Sequence, residues 1–171
     1  MFTMTKDVAG VIQQAQVISA SEEMTSRIGK VLGQSLQPGA ILALSGDLGA
    51  GKTRLVQAIA TSLGVPTEQV NSPTFTLVQE YEGTFPIRHC DTYRLRDVDE
   101  FLDLGLDELL APDGIAIIEW AERVHHLLPR DILIIAIQIL SPTSRQFDFM
   151  ARGRFSASVL ARFVELIGPH K

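Results

Sequence analysis

A glycine-rich octapeptide constrains the fold of this 171-residue chain more than any other part of its sequence. Residues 46–53 read Gly-Asp-Leu-Gly-Ala-Gly-Lys-Thr and match the pattern G-x-x-x-x-G-K-[ST]. The short apolar run 41–45 precedes this peptide, and a helical pattern over about 52–63 follows it. A strand, a glycine-rich loop and a helix in this order are typical of the phosphate-binding loop (P-loop) of α/β domains that bind nucleoside triphosphates.

The residue types in this loop suit phosphate binding. Glycines permit positive φ and bring backbone N–H groups close to phosphate oxygens, and the N-terminus of the following helix favours an anion. We expect Lys52 to reach the β- and γ-phosphates and the Thr53 hydroxyl to bind Mg²⁺. The nucleotide-binding residues predicted in the loop are Asp47, Leu48, Gly49, Ala50, Gly51, Lys52 and Thr53.

The rest of the chain alternates between strand and helix patterns. This order predicts a three-layer α/β domain of the P-loop NTPase class, with a mixed, partly antiparallel central sheet. Weak patterning predicts a loose N-terminal extension over residues 1–15, followed by one domain over 16–171. The main elements expected are a helix capped by Ser19 or Ser21, buried strands at 115–118 and 132–139, a broken helix at 97–110, a short helix at 121–128 and a last helix capped by Ser156.

Charge and hydropathy exclude several classes of protein. The chain has 15 Lys and Arg against 20 Asp and Glu, and its net charge of −5 argues against an independent nucleic-acid binder. No apolar run reaches the roughly 18 residues of a membrane span, and no signal peptide is recognisable, so we expect a cytoplasmic protein without a membrane partner. The single cysteine, Cys90, excludes an internal disulfide and is expected to be a packed thiol.

Two carboxylates are candidates for chemistry at the P-loop. Glu119 ends the predicted strand 115–118, where a carboxylate points into the ligand crevice of an open α/β sheet and can bind Mg²⁺ or orient water. Asp91 ends an earlier predicted strand and is either a second metal or water partner or a turn-capping aspartate. His89 is expected to be a hydrogen-bonded structural histidine. The predicted catalytic residues are therefore Lys52, Asp91 and Glu119, and the predicted metal ligands are Thr53 and Glu119.

The nucleotide is predicted to be ATP. A GTPase would carry an N-K-x-D motif, which the sequence lacks, and its D-x-x-G string at 7–10 precedes the P-loop, where it cannot act as a switch. A small-molecule kinase remains an alternative, although the sequence shows no clear arginine-bearing lid. A nucleotide-gated docking module is a second alternative.

Four further strings, taken with the P-loop, resemble the TsaE family, the bacterial P-loop ATPases of tRNA threonylcarbamoyladenosine synthesis. They lie in family order between about Ile41 and Glu122, roughly half of the chain. The strings are Ser72-Pro73-Thr74-Phe75, His89-Cys90-Asp91-Thr92-Tyr93-Arg94-Leu95, Glu100 to Gly105, and Glu119-Trp120.

This resemblance implies ATP and Mg²⁺ as ligands and assigns roles to individual residues. It implies that Glu119 is a Walker-B-type Mg²⁺ carboxylate and that Asp91 is a switch-like aspartate needed for ATPase activity. Trp120 matches a family tryptophan beside the site that either stacks on adenine or packs in the core. Thr25 matches a threonine near the base, and Thr74 lies in a switch-like segment that would sense the γ-phosphate.

The resemblance also implies partners. They are TsaB and TsaD, of which TsaD transfers a threonylcarbamoyl group to adenosine 37 of tRNA, so the contact with tRNA is indirect. Arg94 is a candidate for stabilising charge in the transition state. Hydrolysis by the chain alone is expected to be slow, because P-loop proteins often need a partner to complete the site. An acidic segment is either a solvated face or a docking surface for a basic partner, and it contains Asp97, Asp99, Glu100, Asp103, Asp107, Glu108 and Asp113.

Overall fold

One mixed sheet forms the centre of the protein. The computed structural model describes residues 2–6, 12–71, 73 and 76–168. The sheet contains eight strands in the order β1-β2-β8-β7-β3-β6-β5-β4. These are β1 Phe2–Lys6, β2 Ile12–Ser19, β3 Ile41–Ser45, β4 Val78–Glu82, β5 Pro86–Asp91, β6 Ile115–Glu119, β7 Ile132–Ile139 and β8 Arg145–Arg152. The helices are α1 Glu22–Ser35, α2 Lys52–Ser62, α3 Val98–Leu102, α4 Leu106–Leu109 and α5 Arg154–Ile167.

The middle of the sheet is parallel and its edges are antiparallel. Strands β5, β6, β3 and β7 run parallel to one another, whereas β4, β8, β2 and β1 pair in antiparallel fashion. Strand β6 is buried along its whole length, as expected for a parallel strand with both faces covered. The predicted mixed α/β fold is therefore confirmed, and the carboxyl ends of β3, β5 and β6 meet at one edge.

The number of layers differs between the two halves of the sheet. Helices α1, α2 and α5 pack with their apolar side chains on one face of the sheet. On the other face, α3, α4 and nearby turns cover β5, β6 and β3, so that this half has three layers. Over β2 and β8 the second face carries polar side chains such as Gln16 and Asp148, which hydrogen bond to each other at 2.6 Å. Alternation of polar and apolar residues is typical of antiparallel strands with one solvated face.

The N-terminal segment differs from the predicted loose extension. Within residues 1–15, positions 2–6 and 12–15 are strands, and β1 pairs with β2 at the edge of the sheet. Residues 3–5 are exposed, so backbone pairing rather than a buried apolar pattern holds this edge. Residues 1 and 7–11 lie outside the described part of the chain.

Helix α1 and the broken helix follow the sequence expectations. Of the two predicted caps of α1, the structure selects Ser21, whose side chain accepts a hydrogen bond from the Met24 N–H at 3.2 Å, while the Ser19 hydroxyl donates to the Ser21 carbonyl oxygen. The pattern over 97–110 forms α3 and α4, separated around Gly105, which has a φ of 78°. The predicted helix over 121–128 is wrong, because this segment forms two short 3₁₀ turns at Ala121–Arg123 and His125–Leu127.

Helix α5 is capped by a residue far away in sequence. The Asp131 carboxylate accepts hydrogen bonds from the N–H groups of Phe155 and Ser156 at 2.9 and 2.8 Å. Gly153 leaves room for it, since a Cβ there would lie 2.3 Å from the Asp131 carboxyl carbon. The predicted cap by Ser156 is wrong, because its hydroxyl donates to the Arg152 carbonyl oxygen instead.

Among the described residues, no helix combines the length and the apolar character that crossing a bilayer requires.

Candidate nucleotide-binding site

The predicted P-loop connects β3 to α2. Its three glycines have positive φ values of 141° at Gly46, 78° at Gly49 and 105° at Gly51. At Gly46 a side chain would also collide with the sheet, since a Cβ would lie 2.4 Å from the Ile137 carbonyl oxygen. The loop is closed by a hydrogen bond from the Ala50 N–H to the Asp47 carbonyl oxygen at 3.1 Å. Its shape therefore depends on glycine where the sequence pattern requires it.

Lys52 lies at the start of α2 and is almost completely buried. Its ammonium donates to the carbonyl oxygens of Gly46 and Asp47 at 2.6 and 3.0 Å. It also lies 3.7 Å from the centroid of the Trp120 ring, a cation–π contact. Burial lowers the pKa of Lys52, and nearby carboxylates, chiefly that of Glu119, oppose this effect. The Lys52 ammonium is therefore a largely desolvated cation whose hydrogen-bond acceptors are two neutral carbonyl oxygens. An anion would accept stronger hydrogen bonds and can replace them.

Thr53 and Glu119 meet beside this lysine. The Thr53 hydroxyl lies 3.1 and 3.3 Å from the two carboxylate oxygens of Glu119. Strand register explains the contact, because Glu119 is paired with Leu44 of β3, close to the P-loop, and with Asp91 of β5. One hydroxyl and one carboxylate are oxygen donors of the kind that Mg²⁺ uses when substrate phosphates and water supply its other ligands. The residues present therefore fit this ion.

A dedicated protein cage for a metal ion is a different kind of site. Within the described ranges, no cluster of three or more His, Cys, Asp or Glu side chains could hold a metal ion. A Mg²⁺ ion at Thr53 and Glu119 would therefore depend on a phosphate ligand for part of its coordination.

His89 supports Glu119 from the protein interior. The two side chains are buried, and His89 Nε2 lies 2.8 Å from Glu119 Oε1. On the other side of the ring, Nδ1 lies 3.3 Å from the Tyr81 hydroxyl, which itself lies 2.7 Å from Gln79 Oε1 and 3.2 Å from the Asn71 carbonyl oxygen. His89 is thus a hydrogen-bonded histidine, as predicted, whereas its partner Glu119 was not predicted. The spacing of His89 and Asp91 was the available signal, because residues two apart on a strand share one face.

Asp91 forms the turn cap that was one of its two sequence interpretations. Its carboxylate accepts a hydrogen bond from the Tyr93 N–H at 2.9 Å, and so caps a turn. The same buried residue lines the cleft at the P-loop together with Glu119. The adjacent thiol is packed in the core, where burial raises the pKa of Cys90 to about 12.

Two clefts lie at the P-loop and share Gly49, Gly51 and Arg54. The first, here called the phosphate-side cleft, has a volume of about 400 Å³. Its other lining residues are Leu48, Lys52, Thr53, Asp91, Tyr93, Arg94, Glu119 and Trp120. The second, here called the base-side cleft, has a volume of about 530 Å³ and includes Thr25, Ala50 and Arg145.

The remaining predicted site residues divide between these clefts. Trp120 lies in the phosphate-side cleft, where its ring is 4.9 Å from that of Tyr93, and Arg94 lines the same cleft. Thr25 is buried in the base-side cleft, with its hydroxyl 2.9 Å from that of Ser19. Thr74 lies outside the described residues. The structure therefore places Thr25 and Trp120 in different clefts of the loop.

Comparisons with known proteins assign the family. The family model described as "Threonylcarbamoyl adenosine biosynthesis protein TsaE" matches residues 19–147. The chain belongs to the TsaE family. It is 40% identical over 143 residues to the Bacillus subtilis protein named tRNA threonylcarbamoyladenosine biosynthesis protein TsaE, covering 83% of this chain and 89% of that one. A protein of the same name from Treponema pallidum is 39% identical over 129 residues, covering 75% and 95% of the two chains.

A solved structure supports the same assignment. The crystal structure of YdiB from Bacillus subtilis aligns with a TM-score of 0.74 and 32% sequence identity, over 88% of this chain and 94% of that chain. The resemblance to TsaE and the predicted P-loop NTPase fold are thereby confirmed. The match to the family model begins at the end of β2 and stops within β8, so β1 and α5 lie outside it.

Proposed function

We propose that this TsaE-family protein binds ATP with Mg²⁺ and hydrolyses the γ-phosphate during synthesis of threonylcarbamoyladenosine at position 37 of tRNA. The observation that carries the proposal is the contact between Thr53 and Glu119 next to the buried ammonium of Lys52. These three groups belong to α2 and β6 and meet at the end of β3, where nucleotides bind in open α/β sheets.

The loop and Lys52 would hold the phosphates. On binding, the ammonium of Lys52 exchanges the carbonyl oxygens of Gly46 and Asp47 for charged phosphate oxygens, which form stronger hydrogen bonds. The N-terminus of α2 favours the same anion. Thr53 and Glu119 would hold Mg²⁺, which supplies charge neutralisation to the phosphates when bound.

Hydrolysis requires a water molecule aligned with the γ-phosphorus. We assign its orientation to the buried carboxylates of Asp91 and Glu119, and His89 keeps the second of these in position. Water forms the new P–O bond, the bond to ADP breaks, and the proton leaves with inorganic phosphate. Arg94 lines the same cleft and is the candidate for stabilising the charge that develops.

Membership of the family supports the place in tRNA modification, and the partners proposed here are those that the family resemblance implies. The TsaB–TsaD complex is the proposed partner, and tRNA is contacted only through it. The acidic segment 97–113 supports docking to a basic surface, because Asp97, Asp99, Asp103 and Asp107 are exposed. Asp113, in the same segment, forms an ion pair with Arg88 at 2.9 Å and is therefore less available for docking.

The test is ATP hydrolysis by the purified chain with and without TsaB–TsaD, with Lys52→Ala as the blank. We expect the pair to stimulate hydrolysis. Equal rates would overturn the assigned pathway and favour a kinase, which would release ADP only with an added acceptor. Partner binding that differs between ATP and ADP without any turnover would instead favour the docking module.

A further inference from the structure

Arg145 joins the P-loop to the turn between β7 and β8. It is the first residue of β8, and its guanidinium donates to backbone carbonyl oxygens of two separate segments. In the P-loop these are Ala50 at 3.0 Å and Gly49 at 3.4 Å. In the turn they are Ser141 and Ser144, both at 2.9 Å, and Pro142 at 3.4 Å. The proposed chemistry uses none of these contacts.

The turn that Arg145 holds is itself fixed internally. The Ser141 hydroxyl accepts hydrogen bonds from the N–H groups of Thr143 and Ser144 at 3.3 and 3.0 Å. Strands β7 and β8 pair along their whole length next to this turn, up to Ile139 and Arg145. Arg145 therefore attaches the P-loop to a rigid part of the sheet, and a planar guanidinium can contact both segments at once.

The direction of these contacts affects the phosphate-binding face of the loop. In a trans peptide the carbonyl and the N–H of the next residue point in opposite directions, and the described residues contain no cis peptide. The Ala50 carbonyl points to Arg145, so the Gly51 N–H points away from it. Gly51 is the N-cap of α2 and lines both clefts, whereas Arg145 lines the base-side cleft and is not among the residues of the phosphate-side cleft.

The two cations at the loop have different contacts. Lys52 donates hydrogen bonds to the carbonyl oxygens of Gly46 and Asp47, and in the proposed function phosphate oxygens replace these acceptors. Arg145 holds the carbonyl groups of Gly49 and Ala50 from the other cleft, and it can keep them when a nucleotide is bound. Lys52 is therefore available to bind the ligand, whereas Arg145 keeps the loop in its conformation.

We propose that Arg145 is a positioning residue for nucleoside di- and triphosphates, which fixes the P-loop so that its N–H groups are preorganised for phosphate. The inference rests on the proposed function for the identity of the ligand. Preorganisation lowers the conformational cost of binding. Loss of the Arg145 side chain should weaken the binding of ADP and of ATP by the same factor. The rate at which bound ATP is hydrolysed should change little.

The experiment compares Arg145→Ala with Arg152→Ala, a control at the other end of β8 with an exposed arginine. Nucleotide affinity is followed through the fluorescence of Trp120, the single tryptophan, which contacts Lys52. We expect Arg145→Ala to raise the Kd of ADP and ATP about tenfold, with single-turnover hydrolysis at saturation within about threefold of wild type. Arg152→Ala should leave both quantities unchanged.

A second measurement needs no nucleotide. Amide hydrogen exchange in the free protein should become faster at 46–51 in Arg145→Ala, while α5 keeps its protection. Arg145→Lys should fall between wild type and Arg145→Ala in both measurements, because an ammonium cannot span the two segments as the guanidinium does. If Arg145→Ala does not fold, the same two measurements on Arg145→Lys test the proposal.

The outcomes separate the two proposals. Unchanged affinity and unchanged loop exchange in folded Arg145→Ala would overturn the positioning role, and so would a lower rate of hydrolysis at unchanged affinity. If the wild-type protein binds neither ADP nor ATP, the proposed function fails, while faster loop exchange would still support the role of Arg145 in shaping the loop.

Discussion

The two halves of the sheet bury different kinds of side chain. The half formed by β3, β4, β5 and β6, here called the site half, has buried charged or titratable groups in or next to it, at Lys52, Arg88, His89, Asp91 and Glu119. The half formed by β1, β2, β7 and β8, here called the scaffold half, packs aromatic rings against α5, with Phe149 4.7 Å from Phe163. Buried charges cost free energy unless they are paired, so their concentration in one half points to function there.

The buried titratable groups and the aromatic core therefore lie in different halves of the sheet, and Arg145 of β8 connects the scaffold half to the P-loop. Ring packing and helix capping in the scaffold half stabilise the fold without touching the P-loop. The site half can therefore hold a desolvated lysine and a buried carboxylate. Substitutions in the aromatic core of the scaffold half should chiefly lower stability, and substitutions of the buried carboxylates of the site half should chiefly lower hydrolysis.

The largest expected effect is on stability, in the scaffold half. Phe149→Ala removes a ring that is almost completely buried between Phe147 and Phe163, and it should lower the free energy of unfolding by about 3–5 kcal/mol. Urea unfolding measures this loss. ATP affinity at low temperature, where the variant is folded, should stay within about twofold of wild type. A folded variant with strongly weakened ATP binding would show that the halves are not separable.

The next effect is on hydrolysis, in the site half. Glu119→Gln keeps the size of the side chain and an oxygen for Thr53 but removes the charge that we assign to Mg²⁺ and water. Single-turnover hydrolysis should fall at least about a hundredfold, because the neutral amide cannot replace the carboxylate toward Mg²⁺ and water. Retention of the wild-type rate would remove Glu119 from the mechanism. Glu122→Gln, an exposed neighbour in sequence, is the control.

A smaller effect concerns the cap of α5. Asp131→Ala should lower the free energy of unfolding by about 1–2 kcal/mol, because two N–H groups lose their acceptor. Hydrolysis at low temperature should not change. Asp131→Asn is the matched control, since asparagine caps nearly as well at neutral pH.

Asp131 should also make the free energy of unfolding depend on pH. Burial acts to raise the pKa of Asp131, but the N–H groups of Ser156 and Phe155 outweigh it, and the pKa lies below its ordinary value of 3.8. A carboxyl with a depressed folded pKa contributes stability above its unfolded pKa and loses it as the pH falls through the folded value. The difference in unfolding free energy between wild type and Asp131→Ala should therefore shrink below about pH 4. A constant difference from pH 7 to pH 3 would contradict this account.

The smallest effect is expected at an exposed ion pair. Glu22 and Arg54 join α1 to α2 at 2.9 Å, with both side chains largely in solvent. Glu22→Gln should change the free energy of unfolding by less than about 0.5 kcal/mol, and added salt should remove even this difference. A loss comparable to that of Asp131→Ala would show that surface charge contributes more to this fold than the comparison of the two halves implies.

Much of the fold could be predicted from local sequence signals. The octapeptide 46–53 placed the loop between β3 and α2, and the apolar run 115–118 placed Glu119 at the end of β6. The cap of α5 could not be found in this way, because Asp131 lies more than twenty residues before its partners. The strand at 2–6 was missed although Phe2 to Thr5 alternate between apolar and polar residues, because the run is only five residues long and its side chains at 3–5 are exposed.

The order of residues along the chain already supplies the groups for phosphate and metal, since the glycines, Lys52 and Thr53 lie within one octapeptide. The contacts of Glu119 with Thr53 and His89, and that of Arg145 with the P-loop, exist only in the folded protein. They arise from strand pairing. Register between parallel strands and the closure of a distant hairpin set these distances, and neither leaves a periodic signal in the residues concerned.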